Sequence, residues 1–338
     1  MPPKQTVILV NLGTPDAPDV PSVRRYLKEF LMDPRIIDLP FLFRWLLVHG
    51  IILPLRPKKS AKAYNKVWTN EGSPLMVNGE KLRDGVKAKL GDRAEVFLAM
   101  RYGNPSIKSV IKKTLDTGSG NIVIVPLYPQ YAAATTGSTV EKVFAELKQY
   151  WNVPPVQIVP DFYEDRRFIE PAAAIAKPLI DSFKADHILF SYHGLPESHL
   201  RKTSEVCLGK TCCETINSKN RYCYRAQCVA TTKALVKELN LDDNGWSMAF
   251  QSRLGKAEWV KPYTTDLIED LAAKGKKRLA VLCPAFVSDC LETIEEIGME
   301  AKDDFVAAGG EDLLLIPCVN ADERWVRGTT ELVSDYLD

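Results

Sequence analysis

The most constraining feature of the sequence is an internal repeat of apolar, strand-like runs that end at a proline. In the first half such runs begin at Asn121 and Val156, and in the second half at Arg278 and Leu313, so the spacing is 35 residues in both (156 − 121 and 313 − 278). Apolar strands that alternate with helices are typical of parallel sheets covered on both faces. We therefore expect an α/β protein of two similar four-stranded, doubly wound parallel-sheet lobes with a ligand cleft between them, rather than one closed (β/α)8 barrel.

The same pattern predicts where the elements and lobes lie. Amphipathic helices such as 138–150 and 265–274 alternate with apolar runs, and strands are expected at 6–11, 94–99, 121–127, 156–159, 187–192, 246–251, 278–283 and 313–317. We expect an N-terminal lobe over 1–165, a C-terminal lobe over 166–320 and a C-terminal helix over 321–338. Ligands of open parallel sheets bind at the carboxyl ends of the strands, so the residues that follow each strand are the candidates for chemistry.

Composition and motifs exclude several classes of protein. The chain has 44 Lys and Arg against 43 Asp and Glu, a balance that argues against a nucleic-acid binder. It has neither a GxGxxG nor a GxxxxGK[ST] motif, so nothing supports a nucleotide cofactor. The N-terminus carries no apolar core typical of a signal peptide, which predicts a cytoplasmic protein with reduced cysteines.

Two predicted strands are followed by residues suited to acid–base chemistry. His193 stands at the end of strand 187–192, and Glu292 follows strand 278–283. Glu292, Glu296 and Glu300 recur at i, i+4 and i+8, which is one face of a helix. Such a carboxylate ladder could attract a cation or relay protons. The structural alternatives are a histidine held by a backbone carbonyl and a capping box formed by Asp289 and Glu292.

A cluster of cysteines indicates a metal centre. Five of the eight cysteines lie within 22 residues with the spacing C-x4-C-C-x9-C-x4-C: Cys207, Cys212, Cys213, Cys223 and Cys228. The absence of a C-x2-C pair weakens a structural zinc site, whereas four thiolates on C-x4-C arms favour an iron–sulfur cluster, here predicted as [2Fe–2S]. Four of the five are the predicted ligands, and one of the adjacent pair is a bystander. Zinc and free or disulfide-linked thiols are the alternatives.

Several motifs in a fixed order resemble the ferrochelatase family, and the similarity covers nearly the whole chain. The motifs are Val10–Pro15, Met100–Gly103, Tyr128–Tyr131, Thr135–Ser138, Ser191–Pro196, Phe250–Gly255 with Trp259, and Ser288–Thr293. The resemblance implies two four-stranded parallel lobes and a lyase that inserts Fe²⁺ into protoporphyrin IX to form haem b, the last step of haem biosynthesis. A coproporphyrin ferrochelatase, a chelatase for another metal or tetrapyrrole, and a non-catalytic tetrapyrrole carrier are the alternatives.

The resemblance also implies roles for individual residues. His193 and Glu292 correspond to the catalytic histidine and its acidic partner, both ligands of the substrate iron. Glu296, the next carboxylate of the ladder, is the predicted acidic relay. The porphyrin-binding positions are Leu12, Arg101, Tyr102, Tyr131, Ser138 and Trp259. Metal insertion removes two pyrrole protons and desolvates a metal ion, which explains why a base and a carboxylate are needed. Cys290 departs from many relatives, which carry histidine there, and the five-cysteine segment is absent from many of them.

An apolar segment, Leu39–Leu55, precedes the basic residues Arg56, Lys58 and Lys59 and falls where the family has a greasy lip over its active site. The segment is too short and too interrupted to span a bilayer. A core helix is one interpretation. The other is peripheral membrane contact through 39–59, which would place the protein at the inner membrane on the cytoplasmic side. The sequence leaves open whether the chain is a monomer or a dimer.

Overall fold

The computed structural model describes residues 5–203, 207, 211–253, 255 and 257–337. Two four-stranded sheets, parallel throughout, are formed within these residues, which confirms the predicted α/β fold. The strands are β1 (Gln5–Thr14), β2 (Ala94–Gly103), β3 (Asn121–Pro126), β4 (Val156–Ile158), β5 (His187–His193), β6 (Trp246–Gln251), β7 (Arg278–Leu282) and β8 (Asp312–Leu315).

Helices lie between consecutive strands along the chain, as parallel pairing requires. They are α1 (Val20–Leu31), α2 (Phe41–Leu47), α3 (Leu53–Val67), α4 (Pro74–Leu90), α5 (Ile107–Asp116), α6 (Ser138–Leu147), α7 (Arg166–Phe183), α8 (Glu197–Thr203), α9 (Tyr224–Leu239), α10 (Thr264–Ala273), α11 (Leu291–Ile294), α12 (Lys302–Ala307) and α13 (Glu323–Ser334). Three π-helical turns occur at Val48–Ile52, Ala133–Gly137 and Glu296–Ala301. In the described part of the chain, none of the helices is both long and apolar enough to cross a membrane.

The two sheets have the same strand order, which is the structural basis of the sequence repeat. The order is β2-β1-β3-β4 in one and β6-β5-β7-β8 in the other. Each sheet has its own apolar core: Ile8, Val10, Ile122, Ile124 and Val143 belong to the first, whereas Leu189, Ala249, Leu279, Val281 and Phe305 belong to the second.

The chain divides into two compact units that exchange short segments. The first unit contains the first sheet and runs to Tyr128, and it adds Ala133–Asp161 and the residues from Ala321 onward. The second unit consists of Pro129–Ala132 and Phe162–Asn320. The four-residue segment that contains Tyr131 is therefore part of the second unit, although it follows a strand of the first.

Strands β1 and β2 are longer than the sequence predicts, because their pairing continues through Gly13↔Tyr102 and Thr14↔Gly103. Gly13 has a φ of 119°, and a β-carbon there would lie 1.8 Å from the carbonyl oxygen of Tyr102. Only glycine allows this close approach. The sequence Leu-Gly-Thr-Pro resembles a turn, whereas the glycine here extends the sheet and places Arg101 and Tyr102 inside β2.

Candidate active site

The predicted catalytic histidine is the last residue of β5, and its ring has a defined hydrogen-bonding pattern. His193 Nδ1 lies 2.7 Å from the carbonyl oxygen of Gly194. A carbonyl can only accept, so Nδ1 must carry the proton, and in the neutral ring the lone pair is on Nε2. The ring centroids of Trp259 and Phe286 each lie 6.4 Å from that of the imidazole. Nε2 is therefore the ring nitrogen of His193 that carries the lone pair.

Close packing around Gly194 holds this turn in place. A β-carbon at Gly194 would lie 2.8 Å from the carbonyl oxygen of Gln251 and 3.1 Å from the Trp259 ring. The hydroxyl of Tyr224 donates a hydrogen bond of 2.8 Å to the carbonyl oxygen of His193. Trp259 is 8% exposed, so the predicted aromatic wall lies against the histidine turn within the same unit.

Two carboxylates lie in the same electrostatic environment as His193. The Glu296 carboxylate accepts hydrogen bonds from the backbone N–H of Ser252 (2.7 Å) and from its hydroxyl (2.5 Å). Burial raises the pKa of Glu296, and the charge of Glu292 adds to this, against the opposing effects of Ser252 and His193. Glu296 therefore keeps a proton at a higher pH than an ordinary glutamate, as a proton relay requires.

Ser252 lies in the Phe250–Gly255 motif, but the sequence gives no role to this residue. Its backbone has a φ of 67°, a left-handed conformation that costs a non-glycine residue about 1–3 kcal/mol. It comes directly after β6, where the rule of inspecting strand ends could have found it. Its strained conformation aims both an N–H and a hydroxyl at the carboxylate of Glu296.

The predicted carboxylate ladder is not one face of a continuous α-helix. Helix α11 ends at Ile294 and is followed by the π-helical turn Glu296–Ala301, in which Glu300 N–H donates to the Glu295 carbonyl. Glu292 and Glu296 are half-buried and Glu300 is exposed, so the three carboxylates still run from the interior toward solvent.

The start of α11 also differs from the sequence prediction. Cys290 and Thr293, not Asp289 and Glu292, form its capping box. Asp289 instead accepts hydrogen bonds from Asn320 and from the backbone of Cys318. Burial and the charge of Glu292 raise the pKa of the Cys290 thiol, which stays protonated and hydrogen-bonds to Glu292. Glu292 is thus free of a capping role, and the buried thiol of Cys290 lies beside it.

A second group of predicted site residues meets in the first unit around Asp33, which the sequence analysis missed. Asp33 Oδ2 accepts from Ser138 Oγ (2.5 Å), an Arg101 guanidinium nitrogen (2.5 Å) and the Tyr102 hydroxyl (2.8 Å). Burial favours a raised pKa of Asp33, but the hydrogen bonds from Ser138, the Arg35 backbone and Tyr102, with the charge of Arg101, hold this pKa below its usual value. In the sequence, Asp33-Pro34 after a helix looks like an ordinary turn.

This network orients Arg101 toward a cavity. The cavity has a volume of about 530 Å³, and Arg101, Asp33, Arg25, Lys28 and Lys142 are among its lining residues. Tyr102 and Ser138 are fully buried, so their hydroxyls bind Asp33 and do not face solvent. Leu12 is half-buried in β1. Porphyrin binding by the four predicted residues of this unit stays a prediction: Leu12, Arg101, Tyr102 and Ser138.

The remaining predicted porphyrin-binding residue, Tyr131, is held by the second unit. Its backbone N–H donates to Gln227 Oε1 (2.6 Å), and its ring lies 5.0 Å from that of Tyr222. The neighbouring Gln130 donates to Thr231 Oγ1 at 2.9 Å. Gln227 and Thr231, one turn apart in α9, and Tyr222 just before that helix therefore fix this segment, and the sequence shows no signal for these contacts.

The cysteine segment forms two close thiol pairs in the described residues, with 208–210 outside them. The Sγ atoms of Cys207 and Cys223 are 3.8 Å apart, as are those of Cys212 and Cys213. Hydrogen bonds from Cys207 and Cys213, with the backbone N–H groups at the start of α9, lower the pKa of Cys223 to about 3. Cys228 is fully buried against Tyr224. Among the described residues, no group of three or more His, Cys, Asp or Glu is arranged to hold a metal ion.

The segment 39–55 inverts the usual arrangement of apolar and charged side chains. Phe41, Leu42 and Phe43 are 66%, 61% and 62% exposed. Arg44, in contrast, is buried and donates to the carbonyl oxygens of Ile37 and Leu39. Helix α2 is therefore not a core helix, and its apolar side chains form an exposed surface that also includes Trp45, Leu46, Ile51 and Leu55. We call this set the apolar surface.

The fold is that of the chelatases. SirB from Bacillus subtilis with Fe³⁺ superposes with a TM-score of 0.57, with 11% identity over 99% of this chain and 96% of that one. DR2241 from Deinococcus radiodurans superposes with a TM-score of 0.53, with 11% identity over 99% of this chain and 56% of that one. It is described as a multi-domain protein with structural similarity to chelatases and two additional domains.

Sequence comparisons specify the family. The ferrochelatase family profile matches residues 4–337. A ferrochelatase from Coxiella burnetii (strain Dugway 5J108-111) is 46% identical over 334 residues, covering 98% of this chain and 93% of the relative. One from Legionella pneumophila (strain Paris) is 44% identical over 335 residues, covering 99% of this chain and 100% of the relative. The chain belongs to the ferrochelatase family, whose members are porphyrin-metallating lyases.

Replacing Asp33 by Asn should destabilise the protein by about 3–5 kcal/mol, because it leaves the Arg101 guanidinium buried without its counter-charge. The Arg101 and Asp33 side chains are only 13% and 4% exposed. The matched control is Asp84→Asn, whose Arg83 partner forms a pair in which the aspartate is 66% exposed; its effect should stay within about 1 kcal/mol. Guanidinium unfolding at pH 7 measures both, and equal losses would contradict the role given to Asp33.

Proposed function

We propose that this protein inserts Fe²⁺ into protoporphyrin IX to form haem b. The observation that carries the proposal is the juxtaposition of His193, with its basic Nε2, and the carboxylates of Glu292 and Glu296. A tetrapyrrole carrier has no need of a base beside a proton-retaining glutamate. The exposed apolar surface favours protoporphyrin, with two carboxylates, over the four-carboxylate coproporphyrin, because a less polar substrate partitions into lipid.

The chemistry requires two protons to leave the macrocycle while one metal ion enters. His193 Nε2 accepts one pyrrole proton, and its Nδ1–H bond to Gly194 stabilises the imidazolium that forms. Glu292 replaces water on the incoming Fe²⁺, and Glu296, held by Ser252, passes the second proton toward the exposed Glu300. The products are the metalloporphyrin and two protons, so charge balances: Fe²⁺ replaces two H⁺.

His193→Gln should lower kcat for iron insertion by at least about 100-fold, since general base catalysis contributes 10²–10⁴-fold. Glu296→Gln should lower kcat substantially, whereas Glu300→Gln, which makes the same charge change at the exposed end, should change it less than about threefold. Anaerobic assays that follow porphyrin absorption measure these rates, with protoporphyrin IX and coproporphyrin III as competing substrates.

Three results would contradict this proposal. Near-normal turnover by His193→Gln would remove the assigned base. Faster metallation of coproporphyrin would change the assigned substrate. Tight porphyrin binding without turnover of any metal by the wild-type protein would identify a carrier.

We further propose that the apolar surface binds an anionic membrane from the cytoplasmic side. Burying exposed phenylalanines in lipid is favourable by about 1.5–3 kcal/mol each. Arg56, Lys58 and Lys59 are exposed at the adjoining part of α3, where each cation near an anionic surface adds about 1 kcal/mol. A cytoplasmic location also suits ferrous iron and reduced thiols.

Replacing both Phe41 and Phe43 by Asp should lower binding to phosphatidylglycerol-containing vesicles by at least about 100-fold. The matched control replaces Phe144 and Trp151, which are 51% and 99% exposed but lie outside residues 39–59, by Asp. Vesicle co-sedimentation at low and high salt measures both variants. Equal losses in the two double variants, or no vesicle binding by the wild-type chain, would contradict a role for this surface.

We also propose that the cysteine segment holds a [2Fe–2S] cluster through Cys207, Cys212, Cys213 and Cys223. A tetrahedral metal with thiolates at about 2.3 Å separates their sulfurs by about 3.8 Å, and both observed pairs match this value. A two-iron cluster needs two such pairs and not one group of three around one ion. This ligand set uses both members of the adjacent pair, unlike the bystander expected from sequence, and leaves out Cys228.

Cys207→Ser and Cys213→Ser should each abolish the visible absorption of anaerobically purified protein, because each removes one sulfur from a pair. Cys283→Ser should leave the colour unchanged, since Cys283 is buried in the second core. Iron and sulfide analysis accompanies the spectra. A colourless wild-type protein with full iron supply, or one that carries zinc, would contradict the cluster.

A further inference from the structure

Helix α9 contacts three functional parts of the second unit through its first two turns. Its N-cap is Cys223, whose thiol lies 3.8 Å from that of Cys207. One residue later, Tyr224 donates to the carbonyl oxygen of His193. Gln227, one turn further, accepts from the backbone of Tyr131. The cysteine segment, the catalytic histidine and a predicted porphyrin-binding residue are therefore all attached to one rigid element.

The contact with His193 acts on the orientation of its ring. Tyr224 is buried, and its hydroxyl bonds the carbonyl of the same residue whose Nδ1 donates to Gly194. The peptide that joins His193 to Gly194 is thus fixed at both of its polar groups, because its carbonyl oxygen accepts from Tyr224 and its N–H donates to the Gln251 carbonyl oxygen at 2.7 Å. A small rotation or shift of α9 moves this peptide and with it the direction of Nε2.

The contact with Tyr131 is also buried and specific. Gln227 is fully buried, and its amide bridges two backbones: Oε1 accepts from Tyr131, and Nε2 donates to the Arg221 carbonyl (2.7 Å). Arg221 belongs to the loop that joins the cysteines to α9. Displacement of that loop therefore acts on the Tyr131 segment through one side chain.

We propose that Tyr224 and Gln227 are positioning residues that couple the state of the cysteine segment to iron insertion, Tyr224 through His193 and Gln227 through Tyr131. This inference rests on the proposed ferrochelatase activity. It gives the cysteine segment a defined effect on the reaction that needs no electron transfer: formation or loss of the Cys207–Cys223 contact shifts the start of α9. Tyr224 then affects kcat, and Gln227 affects the KM for porphyrin.

The chain offers a close control for a purely structural effect. Tyr192 of β5 is buried, as Tyr224 is, and its hydroxyl lies 2.8 Å from the hydroxyl of Thr232 in α9. Tyr192→Phe and Tyr224→Phe each remove one buried hydroxyl between β5 and α9. Of these two tyrosine hydroxyls, that of Tyr224 bonds the carbonyl oxygen of His193 and that of Tyr192 does not.

The experiment combines kinetics with NMR of the histidine rings. The chain has four histidines, so the His193 ring signals can be assigned by their loss in His193→Gln. We expect Tyr224→Phe to lower kcat about tenfold with unchanged KM and to shift the His193 signals, whereas Tyr192→Phe should do neither. Gln227→Met should raise the porphyrin KM with little change in kcat.

Coupling to the cysteines is tested by a double-mutant cycle. Cys207→Ser, which alters the thiol pair from outside α9, should lower kcat and shift the His193 signals in the wild-type background, but should add little to Tyr224→Phe. Full additivity of the two substitutions, or equal effects of Tyr192→Phe and Tyr224→Phe, would overturn the inference. Failure of the wild-type protein to insert iron would instead overturn the proposed function, while the NMR shifts would still report the coupling.

Discussion

The side-chain amide of Gln251 connects the elements on which the histidine–glutamate site depends. Gln251 is buried at the end of β6, and its Oε1 accepts from Ser191 Oγ in β5 at 2.7 Å. Its Nε2 donates to the carbonyl oxygen of Glu292 at 2.7 Å, which fixes the start of α11. A buried amide left without partners would cost about 1–3 kcal/mol per group, so these partners are strongly favoured. One side chain thereby sets the spacing between the His193 turn and the carboxylates.

Parallel strand geometry explains why such a connector works. In a parallel sheet the carboxyl ends of neighbouring strands lie at one edge, and His193 and Gln251 are direct partners in the register of β5 and β6. Ser252, the next residue, turns back to Glu296, and Gln251 itself holds Glu292. His193 and both carboxylates are therefore positioned by two consecutive residues at the end of one strand. Burial raises the pKa of Glu296. The hydrogen bond from Nδ1 of His193 to the Gly194 carbonyl leaves the lone pair of the neutral ring on Nε2.

The sequence predicts the fold and part of the site because both follow from local patterns. The eight strands of the described residues overlap the predicted apolar runs, and His193 and Glu292 are recognisable because they lie at or beyond the carboxyl ends of strands. Asp33 and Gln227 are not predictable in this way, because the predicted site residues that they bond are distant in the sequence. Arg101 and Ser138 lie 68 and 105 residues from Asp33, and Tyr131 lies 96 residues from Gln227. The sequence does not predict the π-helical turn at Glu296, because i, i+4 spacing assumes a regular α-helix. It does not predict the full length of β1, because Gly13 resembles a turn residue.

The orientation of His193 is the central claim of this account, and the tautomer of its ring tests it most directly. The measurement is the pair of ¹⁵N chemical shifts of the His193 ring in the wild-type protein, at a pH where the ring is neutral. The account predicts a protonated Nδ1, bonded to the Gly194 carbonyl, and an unprotonated Nε2. A proton on Nε2 would contradict it, because His193 could then neither accept a pyrrole proton nor bind the incoming iron through that atom.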